Sequence, residues 1–134
     1  MYDIIALGCG LVGEFVVTKL SNLGYKIHAI DLNIPVELKE NSSTSYQEGD
    51  IFQLVDDLPR AKVILNLLPG SIGEKVRPLL ISGGNNIVDL AFTESEPTIH
   101  NQYAIENNIP YIFFSCSRGQ RMHESSIALM QMSR

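Results

Sequence analysis

Three glycines and one aspartate carry the first chemistry that can be read in this sequence. Gly8, Gly10 and Gly13 break the run Met1-Tyr-Asp-Ile-Ile-Ala-Leu-Gly-Cys-Gly-Leu-Val-Gly13, and Asp31 follows eighteen residues after the last of them. Each glycine answers a separate need: Gly8 a tight turn, Gly10 a backbone that a pyrophosphate can approach, Gly13 close packing of the next helix on the strand. The spacing alone also fits a strand-to-helix turn that binds nothing, so the motif requires a helix, a second strand and an acid at the right distance. Asp31 supplies the acid. A carboxylate there accepts hydrogen bonds from the adenosine ribose and repels a 2′-phosphate, and no lysine or arginine follows before Lys39 to neutralise one. The expected ligand is a dinucleotide, NAD in preference to NADP, with Leu32 beside Asp31 in the site.

Further candidates lie downstream. In Gly49-Asp50-Ile51 the turn flanks the expected adenine, where Asp50 could accept from the exocyclic amine and Ile51 pack on the ring face; Asp50 serves equally well as a helix N-cap, and the two roles are compatible. Asp89 stands near the end of Ile87-Val-Asp-Leu-Ala91, at the edge where open parallel sheets bind ligands. It is the one candidate for a catalytic or carboxamide-contacting group, set against a role as a strand-end hydrogen-bonding residue. Cys9 is a small packing residue or a thiol activated by the helix N-terminus, and Cys116 falls near the expected cleft edge. At about 4.8 Å per strand step their strands place them roughly 14 Å apart, too far for a disulfide, which needs less than about 7 Å. With His28, His100 and His123 scattered, no metal-ligand spacing arises. Met122, Met130 and Met132 read as packing or interface residues.

The elements that must position these residues follow the chain. A strand leads into the glycines; a helix after Gly13 carries apolar residues at 12, 16, 20 and 23, with Thr18, Lys19, Ser21 and Asn22 on the other face, and closes at Gly24. Tyr25 to Ile30 form the second strand. Residues 33–43 read as a loop with one helical turn, Thr44 to Glu48 as a short edge strand, and Ile51, Leu54, Val55 and Leu58 as one face of a short helix. The near-continuous apolar run Lys62-Val-Ile-Leu-Asn-Leu-Leu68 is a strand buried on both faces. Ser71-Ile-Gly-Glu74 matches a capping box, so a helix is expected from Ile72, kinked or split at Pro78 and ended by Gly83-Gly84. Ile87 to Ala91 form another strand. Residues 93–97 cap a helix with Ile99, Tyr103 and Ala104 on its apolar side, which exits at Asn107-Asn108, and Pro110-Tyr-Ile-Phe-Phe114 is the last strand. This alternation predicts a Rossmann-type doubly wound α/β sheet, strand order 3-2-1-4-5-6, in a single domain over residues 1–114. The tail, residues 115–134, holds three arginines and three methionines and is expected to be marginal without a partner surface.

Composition sets the bounds. A chain of 134 residues, 45% hydrophobic, fits one domain with a real core. A net charge of −5, with ten basic residues scattered singly, offers no basic stripe and argues against nucleic acid as a partner. No apolar run approaches the ~20 residues of a membrane span, and the amino terminus lacks a signal-peptide pattern. The expectation is a cytoplasmic protein that contacts no membrane.

The segments Ile4 to Gly13, Val63-Ile-Leu-Asn-Leu-Leu-Pro-Gly-Ser71, and Asn86-Ile-Val-Asp-Leu-Ala91 with Glu94 to Pro97 together resemble the amino-terminal domain of saccharopine dehydrogenases and lysine 6-dehydrogenases. The resemblance covers residues 3–114. It implies an NAD(P)-linked oxidoreductase acting at a carbon–nitrogen bond of an amino acid. It further implies that Gly8, Gly10, Leu11, Val12 and Gly13 hold the pyrophosphate and Asp31 the ribose, that Leu67, Leu68, Pro69 and Gly70 line the nicotinamide-ribose side, and that Asp89 and Leu90 lie near the nicotinamide. Where that family continues through an Asp-Pro-Gly-like turn into a catalytic domain, this chain reads Ser115-Cys-Ser-Arg-Gly-Gln120 and ends fourteen residues later. The expectation is therefore a chain that binds NAD but is catalytically incomplete: a cut-down domain, a truncated gene product, or one half of a complex with the missing catalytic domain. The alternative is a non-enzymatic regulatory module similar to potassium-transport regulator domains, a likeness that rests on the glycine loop, Asp31 and Gly49-Asp50. A third reading is a dimeric binding or scaffold protein, a homo-oligomer in which the tail is an interface segment that covers its partner's exposed surface.

Overall fold

Five parallel strands lie in the order β3-β2-β1-β4-β5 in a computed structural model that describes residues 1–91, 99–108 and 110. β1 (Tyr2–Leu7) is the middle strand. It pairs with β2 (Ile27–Asp31) on one side and β4 (Ala61–Asn66) on the other, with Leu7 opposite both Ile30 and Asn66. β3 (Thr44–Glu48) extends the sheet beyond β2, and β5 (Ile87–Asp89) beyond β4. The expected Rossmann-type architecture and the order of its first five strands are thus present. The expected sixth strand, the capping residues 93–97, Cys116 and the tail lie outside the described residues.

Parallel strands need crossover connections, which cover both faces of the sheet. Alternate residues of β1 accordingly serve two cores. Ile4 and Ala6, with Ile27 and Ala29, pack under helix α1 (Leu11–Asn22) and the short α2 (Val36–Lys39) through Val17 and Leu38. Ile5 and Leu7, with Ile30 and Ile64, pack on the other face against α3 (Ile51–Leu54), its 3₁₀ extension Val55–Asp57, and α4 (Gly70–Ser82), through Ile51, Val76 and Leu80. Helix α5 (Ile99–Glu106) packs against α4 and buries Ala104, and its exit residue Asn108 has φ +53°. No helix among the described residues is long and apolar enough to cross a membrane.

Three details differ from the sequence expectation. The buried line of α1 is Gly13, Val17 and Ser21, with Leu20 partly buried against the same core, while Val12 and Leu23 are 62% and 73% exposed; the helix lies so close to the sheet at Gly13 that small residues share the face with the apolar ones. Helix α4 starts at Gly70 with Pro69 as its N-cap and no side-chain cap, so the Ser71–Glu74 capping box does not set its start. It also runs unbroken through Pro78, because Val76, Arg77, Leu80 and Ile81 are all buried around the proline and tertiary packing outweighs the lost backbone bond.

His28 gives the fold a pH dependence. The residue is 8% exposed, its ring stacks on Tyr2 with centroids 5.0 Å apart, and its Nδ1 lies 2.8 Å from Ser45 Oγ in a hydrogen bond. Burial lowers its pKa from the ordinary 6.5, outweighing the upward pull of a hydrogen bond with Gln47. The unfolded chain therefore binds the proton more readily, and the linked stability is fully present above about 6.5 and is lost as pH falls through the lowered value. Melting temperature is expected to drop between pH 7.5 and 5.5, and His28→Gln to flatten that slope. Parallel pH profiles for the two proteins would show that His28 is not the responsible group.

Candidate functional site

The carboxyl ends of β1 and β2 bring the glycine turn and Asp31 into contact. Gly8 leaves the strand with φ +93°, a backbone state that strains any L side chain, and its N–H donates to the Ile30 carbonyl at 2.9 Å. The turn then presses back on the helix: a Cβ added to Gly13 would sit 2.0 Å from the Gly8 oxygen, and one added to Gly8 would sit 2.8 Å from the Leu67 oxygen. At Gly10 the opposite holds, with nothing within 4 Å of an added Cβ. Gly10 is also the N-cap of α1, and no side chain caps that end. The first N–H groups of the helix, with their positive dipole end, thus border open space. Leu11 and Val12 flank it, 92% and 62% exposed, and Glu14 is half-buried in the first turn.

Asp31 ends β2 with its carboxylate turned to the glycine turn. Its Oδ2 accepts from the Cys9 N–H at 2.5 Å and its Oδ1 from the Leu32 N–H at 2.6 Å. Each oxygen keeps further lone-pair capacity for a hydroxyl donor. The Asp31 carbonyl in turn accepts from the Gly49 N–H at 2.9 Å, which draws the β3 exit to the same corner. There Asp50 caps α3, accepting from Phe52 N–H at 3.0 Å, and is exposed at the surface. Ile51 differs from the expectation of a ring-packing residue: it is 6% exposed and its side chain belongs to the core with Ile30. Leu32 is 62% exposed at the rim.

On the other side of β1, the Leu67 N–H donates to the Leu7 carbonyl at 2.8 Å, which seats the β4 exit beside the glycine turn. Leu67 and Leu68 are half-buried, Pro69 is exposed, and Gly70 begins α4. Asp89 closes β5, and its carboxylate is held by three donors: Oδ2 accepts from Arg77 Nε and from Asn66 Nδ2 at 3.0 Å, and Oδ1 from the Ala91 N–H at 2.7 Å. This is the strand-end hydrogen-bonding role. Leu90, next to it, is 64% exposed. The sequence reading missed Arg77 and Asn66, which are 7% and 0% exposed. A signal was present in each: one arginine inside the buried stripe of an amphipathic helix, and one amide inside an otherwise apolar strand, both of which require internal partners.

Cys9 is a packing residue. It is 2% exposed and lies in the core with Ala6 and Val17. Burial, together with the nearby Asp31 charge, pushes its thiol up to about 12, the reverse of activation. Two hollows of about 340 and 430 Å³ lie away from the glycine turn, one lined by Tyr2, Tyr25, Lys26 and Ser43, the other by Asp56, Arg60, Leu79 and Asn85. At the corner that gathers the glycines, Asp31, Asp50 and Leu67, the open space is at Gly10. No protein-family model and no curated protein matches the sequence.

Proposed function

We propose that this chain binds NAD along the carboxyl edge of its sheet, as the dinucleotide-binding domain of a saccharopine dehydrogenase-like oxidoreductase. The observation that carries this reading is the Asp31 carboxylate, hydrogen-bonded to the glycine turn beside an uncapped helix N-terminus. The residues fit the group. Gly10 leaves room for a pyrophosphate where α1 presents free N–H donors; Asp31 and Leu32 flank the adenosine ribose, Asp50 the adenine edge, and Leu67 to Gly70 with Leu90 the nicotinamide half. When bound, NAD supplies a hydride acceptor. The protein's part is to hold and orient it, and to repel a 2′-phosphate through Asp31.

Titration calorimetry tests this reading. NAD is expected to give a saturable isotherm, with NADP weaker by at least about tenfold because like charges meet at Asp31. No saturable binding at millimolar NAD would sink it. A second reading, a non-enzymatic module that senses the nucleotide, is favoured by one observation: Asp89, the one acid–base candidate, is held by three donors. Amine-dependent NADH formation by the chain above background would decide for the dehydrogenase.

A further inference from the structure

We infer that Arg77, Asp89 and Asn66 form a buried clamp that fixes the backbone just beyond β5, making Arg77 a positioning residue for the nicotinamide half of the dinucleotide; this rests on the reading above. Both polar groups of the Ala91 backbone are held. Its N–H donates to Asp89 Oδ1 at 2.7 Å, and its carbonyl accepts from Arg77 Nη2 at 3.1 Å. The clamp closes on itself through Arg77 Nε and Asp89 Oδ2 at 2.5 Å. Asn66 Nδ2 donates to that same oxygen at 3.0 Å and to the Gly73 carbonyl at 3.1 Å. The ends of β4 and β5 and the body of α4 are therefore wired to one point.

An independent contact fixes the same point. A Cβ added to Gly73 would sit 2.3 Å from the Ala91 Cβ, so α4 lies directly against Ala91 and leaves it no room to shift. The Arg77 and Asp89 side chains are 8% and 17% exposed, and Asn66 is fully buried. The Asp89 carboxylate and the Asn66 amide nitrogen bind one another, Arg77 and backbone, while Asn66 Oδ1 is buried with no hydrogen-bond partner among the described residues; the hold these groups have on a ligand is through the strand-end segment. A buried ion pair is by itself weak evidence for stability, since apolar residues of similar volume often fill such space at little cost. What the ion pair adds is direction: the planar guanidinium offers two donors in a fixed fork, one to a carboxylate and one to a carbonyl. Leu90, the exposed residue between Asp89 and Ala91, is thereby presented at the ligand edge with its N–H bonded to the Asn66 carbonyl at 3.0 Å.

Arg77→Lys keeps a positive charge beside Asp89 but lacks the second arm of the fork. Binding of NAD and of ADP-ribose, which lacks only the nicotinamide, is compared by calorimetry in the wild type and this variant, with folding checked by circular dichroism. NAD is expected to weaken about tenfold, the scale of one or two lost orienting hydrogen bonds, while ADP-ribose stays within about twofold. The Ala91 amide is expected to exchange with solvent faster in the variant, with the Cys9 amide unchanged. A folded variant that loses NAD and ADP-ribose equally, or that loses neither, overturns the clamp while leaving the dinucleotide site standing. A wild-type chain that binds neither ligand overturns the underlying reading and the clamp's role with it. Arg77→Met/Asp89→Leu, which fills the space without a charge, provides the second case: unimpaired NAD binding in that folded protein also refutes the inference.

Discussion

Gly13→Ala is expected to destabilise the protein by about 3 kcal/mol, and to abolish dinucleotide binding on the reading proposed above. The new methyl would sit 2.0 Å from the Gly8 oxygen and 2.8 Å from its carbonyl carbon. Both are backbone atoms, so no side chain can rotate out of the way. Gly8 cannot retreat either, because its own far side abuts the Leu67 carbonyl and its N–H is bonded to Ile30. Helix α1 must therefore lift from the sheet, opening the Val17 contact in the core beneath it. Forced overpacking typically costs about 1–3 kcal/mol, and contact with fixed backbone puts this site at the upper end. A loss of that size lowers the melting temperature by roughly 10 °C in a chain of this length. Gly10→Ala is the control. That position has φ −66° and nothing within 4 Å of an added Cβ, so stability is expected to hold within about 1 kcal/mol. Its methyl would nevertheless occupy the space assigned to the pyrophosphate, and NAD affinity is expected to fall. Urea denaturation separates the two variants; equal midpoints for Gly13→Ala and the wild type would refute the close-approach argument.

The same glycine explains how far the fold could be read from sequence. Strands such as Ile4 to Leu7 and Val63 to Leu65 announce themselves because burial on both faces demands uninterrupted apolar residues, and the glycine turn and Asp31 follow from local backbone and charge requirements. Hydrophobicity gives only part of the face of α1: Val17 and Leu20 do pack on the core, but the closest approach is set by smallness, at Gly13 and Ser21, and Val12 is exposed. The Ser71 signal misleads for a related reason: Pro69 and Gly70 already have the geometry to begin a helix and pre-empt it. The turn at Ile51 lies at the ligand corner, but only the packed core reveals that its side chain belongs to the interior. The Arg77–Asp89–Asn66 network was invisible for a deeper reason. Its members come from α4, β5 and β4, and nothing local indicates that one arginine and one amide will meet a carboxylate until the strand order is known.

That network carries the largest single-residue effect expected in the protein. Arg77→Met should cost about 3 kcal/mol or somewhat more, approaching the penalty for leaving a buried charge without its partner because Asp89 is only 17% exposed, against a total stability of roughly 5–15 kcal/mol for a domain. Asp89 would retain Asn66 Nδ2 and the Ala91 N–H, which satisfy hydrogen bonding but do not neutralise its charge. Arg77→Met/Asp89→Leu, with no charge to strand, should recover at least half of the loss, held short of the whole by the unpaired Ala91 N–H. Urea denaturation of the wild type, Arg77→Met, Asp89→Leu and the double variant measures the coupling. A cost below about 1 kcal/mol for Arg77→Met would place the pair among exposed ion pairs.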